Sequence, residues 1–169
     1  MMIEKFAAKK LIFTGVAGAL SPELKIADLV FASKLVQHDV DISAFGHPLG
    51  FIPESGDFFA CSNELLELAK KSALDLGLPF KEGIIATGDQ FVASAKRKDE
   101  IVRDFGAIAC EMEGASLAYV CDSFNVPFLV IRSISDASDE DASFSFDEFL
   151  LSSAKASASL VLKLIDNLH

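Results

Sequence analysis

Residues 128–135 read FLVIRSIS, a run largely apolar on both faces whose one charge is Arg132. Side chains alternate between the two faces of a strand, so a run without polar alternation belongs at the centre of a sheet covered on both sides. What surrounds it fixes the class. Short apolar runs at 10–14 (KLIFT), 28–38 (DLVFASKLVQH), 83–92 (GIIATGDQFV) and 107–110 (AIAC) alternate with segments of helical spacing. The spacing of Leu65, Leu68, Ala69, Ala73 and Leu76 predicts a helix over 63–76, capped by Ser62 or Asn63 and stopped by Gly77. Helices are also expected near 96–104 and 114–124. The last helix opens on a capping box of Ser145 and Glu148. Its apolar stripe is Phe146, Phe149, Leu150, Leu160, Val161, Leu164, Ile165 and Leu168. This alternation specifies one α/β domain over residues 1–169, a central, largely parallel sheet with helices on both faces.

Composition excludes several classes of function. With 25 acids against 15 bases the formal net charge is -10, which repels a phosphate backbone, so no nucleic-acid partner is expected. Cys61, Cys110 and Cys121 form no CxxC pair and leave one unmatched, which points to a reducing, cytoplasmic setting rather than a disulfide framework or zinc site. Lys9-Lys10 followed by LIFTGVAGAL imitates a secretory signal, but Gly15 and Gly18 suit a strand ending in a tight glycine turn better. No stretch reaches the roughly 18 apolar residues of a membrane span, so no membrane partner is expected.

In a parallel sheet ligands gather at the carboxyl ends of the strands. Those ends are 14–18 (TGVAG), 38–41 (HDVD), 87–91 (TGDQF), 111–113 (EME) and Ser135-Asp136. Glu111 and Glu113 sit where a strand gives way to a helix. They either favour the helix N-terminus or accept hydrogen bonds from vicinal hydroxyls, and the residues alone leave both open. Asp136 is either a turn residue or a proton donor at the mouth of an apolar strand. Phe45 and Phe91 lie in glycine-flanked loops, placed to stack on a flat ligand. His38, Asp39, Asp41 and His47 superficially suggest a metal. His38 and Asp39, however, would point to opposite faces of a strand, so no metal or other cofactor is expected.

The segments LIFTGVAGAL, VQHDVDISAFGHP, ATGDQF, CEMEGAS, FNVPFLVIRSISD and SFDEF together resemble the bacterial 5'-methylthioadenosine/S-adenosylhomocysteine nucleosidases of the nucleoside phosphorylase superfamily. The wording of HDVDISAFGHP and ATGDQF resembles the group that also acts on 6-amino-6-deoxyfutalosine in menaquinone synthesis. The resemblance implies a three-layer sandwich with a central mixed sheet, and hydrolysis of the bond between adenine and ribose. It assigns Asp136 as the acid that protonates N7 of the leaving adenine, with Ser135 assisting. Phe91 would stack on the purine, the backbone of Val92 would read its edge, and Glu113 would hold the ribose hydroxyls beneath Met112. Arg132 and Glu111 would support the site. Phe146, with Phe45 from the partner in a homodimer, would line the pocket for the 5' substituent. Phosphorylases of the superfamily commonly place a small hydroxyl residue near Val16, whose side chain offers an anion no hydrogen bond.

Members of this family begin with strands and a loop that have no counterpart here, and that portion carries the glutamate that activates the attacking water. The resemblance therefore implies an N-terminally incomplete chain, weakly active or inactive alone, against which a normal turnover rate would speak. The alternatives are a noncatalytic remnant that binds adenine nucleosides, or a purine nucleoside phosphorylase.

Overall fold

The structure, a computed structural model, describes residues 1–136 and 146–168, with side chains of the second stretch from Ser153 onward. Six strands carry the fold: β1 (Leu11–Ala19), β2 (Leu29–Gln37), β3 (Phe59–Ala60), β4 (Phe80–Thr87), β5 (Ala107–Glu111) and β6 (Phe128–Asp136). The helices are α1 (Met2–Phe6), α2 (Asn63–Leu76), α3 (Ala95–Phe105), α4 (Gly114–Ser123) and α5 (Phe146–Asp166), with a 3-10 turn at Ser43–Phe45. The α2 helix has the expected bounds. Ser62 Oγ accepts the Leu65 N–H at 3.4 Å, and Gly77 ends the helix at φ 66°.

The expected α/β fold with a mixed sheet, parallel along its longest pairings, is what forms, and the sheet closes on itself, which the sequence did not specify. The strand order is β3-β2-β4-β5-β1-β6, and β6 pairs in addition with β2, so five strands close into a ring with β3 on its rim. The ring is mixed: β1–β6, β2–β4 and β4–β5 run parallel, β1–β5 and β2–β6 antiparallel. Closure comes from bends. The register slips between Ala17 and Gly18 in β1, and between Ala32 and Lys34 in β2. A bulge turns a strand and raises its twist; beyond the first of them, Gly18 keeps Asp136 of β6 on one side while Gly18 and Ala19 pair with Cys110 and Ala109 of β5 on the other. Apolar patterning shows which residues are buried and leaves such pairings unspecified.

The first strand is also longer than expected, because Gly15 and Gly18 do not end it in a turn. Both glycines admit close approach instead. A Cβ on Gly15 would overlap the Arg132 guanidinium, and one on Gly18 would lie 2.9 Å from Asp136 Oδ2.

Two apolar cores flank the ring. The larger joins Leu29, Phe31, Leu35, Leu129 and Ile131 to α2, α4 and α5 through Leu65, Ala69, Ala118, Leu160 and Leu164. The smaller places Ile101 and Phe105 of α3 against Val36, Ala86 and Ala107. Within the stripe expected on α5, Leu160 and Leu164 are fully buried, whereas Ile165 is exposed. Ser145 lies outside the described residues, as do the side chains of Phe146, Glu148, Phe149 and Leu150. No described helix is long and apolar enough to cross a membrane.

Candidate active site

The site begins where β6 ends. Asp136 pairs in register with Gly18 of β1, and Gly18 pairs on its other side with Cys110 of β5. Because Gly18 has no side chain, the Asp136 carboxyl lies against the bare backbone. Ser135 Oγ donates to Asp136 Oδ1 at 2.8 Å and so fixes the carboxyl plane. Asp136 then faces a cleft lined by Gly18, Gln90, Phe91, Val92, Cys110, Glu111 and Met112. The Phe91 side chain stands 76% exposed at the rim, while Val92 is buried beneath it. An exposed ring beside a buried anchor is a platform, since nothing among the described residues covers its face.

Cys110 contributes no nucleophile. Burial, and next the nearby Asp136 carboxylate, push its thiol up to about 11, so it stays protonated at neutral pH.

The two acids of EME separate completely. The Glu111 side chain is only 2% exposed and pairs with Arg132 Nη2. It also accepts the Thr87 hydroxyl, the Glu113 N–H at 3.1 Å and the Gly114 N–H at 2.8 Å. Thr87 Oγ1 in turn accepts the Ala115 N–H at 2.9 Å. The first amides of α4 are thereby capped from β4 and β5, although Glu113 at the N-cap makes no side-chain cap of its own. Glu113 has its side chain 64% exposed, with Oε2 3.7 Å from Arg132 Nη2. The carboxylate free to meet a ligand is therefore Glu113, and Glu111 supports the architecture.

Arg132 is buried across Gly15, its guanidinium 4.4 Å from the Phe13 ring centroid. Together with Glu111 it ties β6, β1, β5 and the start of α4 into one frame. Met112, partly exposed, lies between the two acids at the cleft.

Val16 and Phe45 do not line this cleft. Val16 lines a separate apolar cavity of about 510 Å³ with Thr14, Gly15 and the α5 residues Ser153, Ala158 and Val161. That cavity is the roomier one, but the polar groups able to act on a ligand converge on the cleft at Asp136. Phe45 is 81% exposed on the 3-10 turn. Phe146 opens α5, its side chain outside the described ones. Of the residues suggested as a metal cluster, His47 stacks on Phe51 at 4.4 Å and His38 turns to Arg97.

Sequence reasoning missed Gly18, Gln90, Thr87 and Cys110. Gly18 was legible only as a turn glycine, and the signal that could have found it is its register with Asp136.

One prediction follows from Gly18. In Gly18→Ala the new methyl displaces the Asp136 carboxyl, so any reaction that uses this group slows roughly tenfold to a hundredfold, in line with the cost of misplacing a reacting group. The melting temperature changes little; rate and thermal unfolding measured side by side check this.

Comparison with known proteins gives a consistent picture. The model of the Phosphorylase superfamily matches residues 1–166. The aminodeoxyfutalosine nucleosidase of Campylobacter jejuni is 52% identical over 99% of this chain and 73% of its own length. The 5'-methylthioadenosine/S-adenosylhomocysteine nucleosidase of Shewanella loihica is 41% identical over 99% of this chain and 74% of its own. Among solved structures, the Helicobacter pylori 5'-methylthioadenosine/S-adenosyl homocysteine nucleosidase in complex with an amino-pyrrolopyrimidine pyrrolidinol superposes with a TM-score of 0.92 at 56% identity. It matches over 99% of this chain and 72% of that one.

Proposed function

The chain belongs to the phosphorylase superfamily, and on that premise we propose that it is a nucleosidase that hydrolyses the N-glycosidic bond of adenine nucleosides and releases adenine. Its substrates in this reading are 6-amino-6-deoxyfutalosine, 5'-methylthioadenosine and S-adenosylhomocysteine, placing it in menaquinone synthesis or methionine salvage. The higher identity to the relative named for aminodeoxyfutalosine supports including that substrate. The observation that carries the reading is the juxtaposition of a Ser135-oriented Asp136 with the exposed ring of Phe91 across one cleft.

Cleavage of the bond sends its electron pair to the adenine and leaves oxocarbenium character on the ribose. An adenine anion is a poor leaving group, so a proton delivered to N7 as the bond breaks lowers the barrier. Asp136 supplies that proton and Ser135 holds its carboxyl in line. Phe91 stacks on the purine, the Val92 backbone meets the purine edge, and Met112 with Glu113 grips the ribose. Glu111 and Arg132 hold these groups in place. Phe146, and Phe45 supplied by the second subunit of a homodimer, line the pocket of the 5' substituent. In this reading the nucleophile is water rather than phosphate. The setting is cytoplasmic.

The test is adenine release from each nucleoside by the purified chain without phosphate. Release that is unchanged by added phosphate supports hydrolysis; release that requires phosphate identifies a phosphorylase. Adenine binding without release supports a binding-only remnant. In Phe91→Ala, loss of one base-aromatic stack, worth about 1–3 kcal/mol, weakens adenine binding roughly 5- to 150-fold. Titration calorimetry with adenine reads this directly.

A further inference from the structure

Beyond the end of β2, His38 is 5% exposed and sits behind the purine segment rather than in the cleft. Its N–H donates to Thr87 O at 2.8 Å, and its Nδ1 lies 3.0 Å from Arg97 Nη2. The same Nη2 donates to His38 O at 3.1 Å. A guanidinium can only donate, so Nδ1 must accept, and the neutral ring carries its proton on Nε2. Among the described residues Nε2 is buried without a partner. Gly88 lies directly against it: a Cβ there would be 2.5 Å from Nε2 and 3.1 Å from the Asp39 carboxyl carbon. From Gly88 the chain runs to Phe91 and Val92. Asp39 secures the same stretch by accepting the Asp89 N–H at 2.7 Å, itself oriented by Gln37 Nε2 at 2.7 Å.

We propose that neutral His38 is a positioning residue that holds the segment Gly88–Val92 in place, and that a second proton, taken up at Nδ1, releases this segment and loosens the platform at Phe91. The part concerning purine rests on the nucleosidase reading above; the part concerning the segment does not.

The charges around the ring decide the sign. From α3, Arg97 faces Nδ1 and is paired through Nη1 with Glu100 at 3.3 Å. From the end of β2 comes Asp39, and from the purine segment comes Asp89, through its backbone. Burial first, and Arg97 second, hold the His38 ring below the ordinary histidine value of 6.5, while Asp39 opposes them. Once the segment is released and the ring is wet, that ordinary value returns. The held arrangement therefore keeps its full advantage above 6.5. It loses roughly tenfold per pH unit as pH falls below 6.5, until the lower value of the held ring is reached.

The experiment is amide hydrogen exchange of the whole chain at about pH 8 and about pH 5, corrected for intrinsic rates. It compares wild type with His38→Asn, whose amide oxygen accepts from Arg97 without titrating. In the wild type, protection of the Asp89 amide falls on acidification, at most about tenfold per pH unit below 6.5, while that of Gly114, bonded to Glu111, holds. In His38→Asn the acid effect disappears. Acid-insensitive Asp89 protection in the wild type, a parallel fall at Gly114, or an unchanged acid effect in the variant each overturns the proposal. Should His38→Asn not fold, nitrogen NMR of the ring decides. A proton on Nε2 and titration below 6.5 support the proposal, and a proton on Nδ1 of the neutral ring overturns it. Adenine affinity, measured in parallel, weakens with acid in the wild type but not in the variant. If adenine binds with no such difference, the link to the platform is wrong. If the wild type binds no adenine at all, it is the nucleosidase reading that fails, and the exchange result still decides the role of His38.

Discussion

Asp136→Asn lowers adenine release by about 10² to 10⁴-fold, the usual worth of a positioned general acid, while adenine still binds within a few-fold of wild type. The amide is nearly isosteric with the carboxyl, so Ser135 keeps a partner and the bulge at Gly18 is undisturbed. What is lost is the transferable proton. The comparison of rate with binding separates this role from a turn or capping role, in which the substitution would change neither strongly. Single-turnover adenine release, read beside calorimetric adenine binding, checks it. A variant that releases adenine at the wild-type rate would remove Asp136 from the chemistry.

The parts of this structure that depend on local chemistry were legible in the chain. Ser62 and Gly77 delimit α2 because a hydroxyl cap and a left-handed stop act within a few residues of the helix they bound. The strand FLVIRSIS is buried along nearly its whole length because both of its faces are largely apolar. What depends on non-local pairing was not legible. Closure of the ring rests on two residues of β1 meeting two of β5 beyond a bulge, and Gly18 reads as a turn until its register with Asp136 is known. His38 and Asp39 read as a strand's opposite faces. The structure turns one to Arg97, 59 residues away, and gives the other the Asp89 amide. Glu111 and Glu113 could not be told apart by position at all, because only the location of Arg132 and Thr87 decides which of them is drawn inward.

That distinction has a large expected consequence. Glu111→Ala leaves the buried Arg132 guanidinium only the longer, solvent-exposed contact to Glu113 at 3.7 Å and takes the acceptor from Thr87, Glu113 N–H and Gly114 N–H together. Breaking one side of a buried pair costs about 3–5 kcal/mol. At about 2–4 °C of melting temperature per kcal/mol for a chain of this size, the midpoint falls by roughly 10 °C or more. Removing both charges in Glu111→Leu with Arg132→Met recovers much of that loss, since a buried pair replaced by apolar groups of similar volume is often neutral. The double-mutant cycle read by thermal or urea unfolding tests this, because coupling between the two sites appears as non-additivity. Recovered stability does not restore turnover, because α4 then loses the acceptor that fixes its first turn and with it the direction of Glu113. If instead Glu111→Ala unfolded like the wild type and only weakened nucleoside binding, Glu111 would be a ligand contact, and the inward geometry of its carboxylate would not be the state that matters for function.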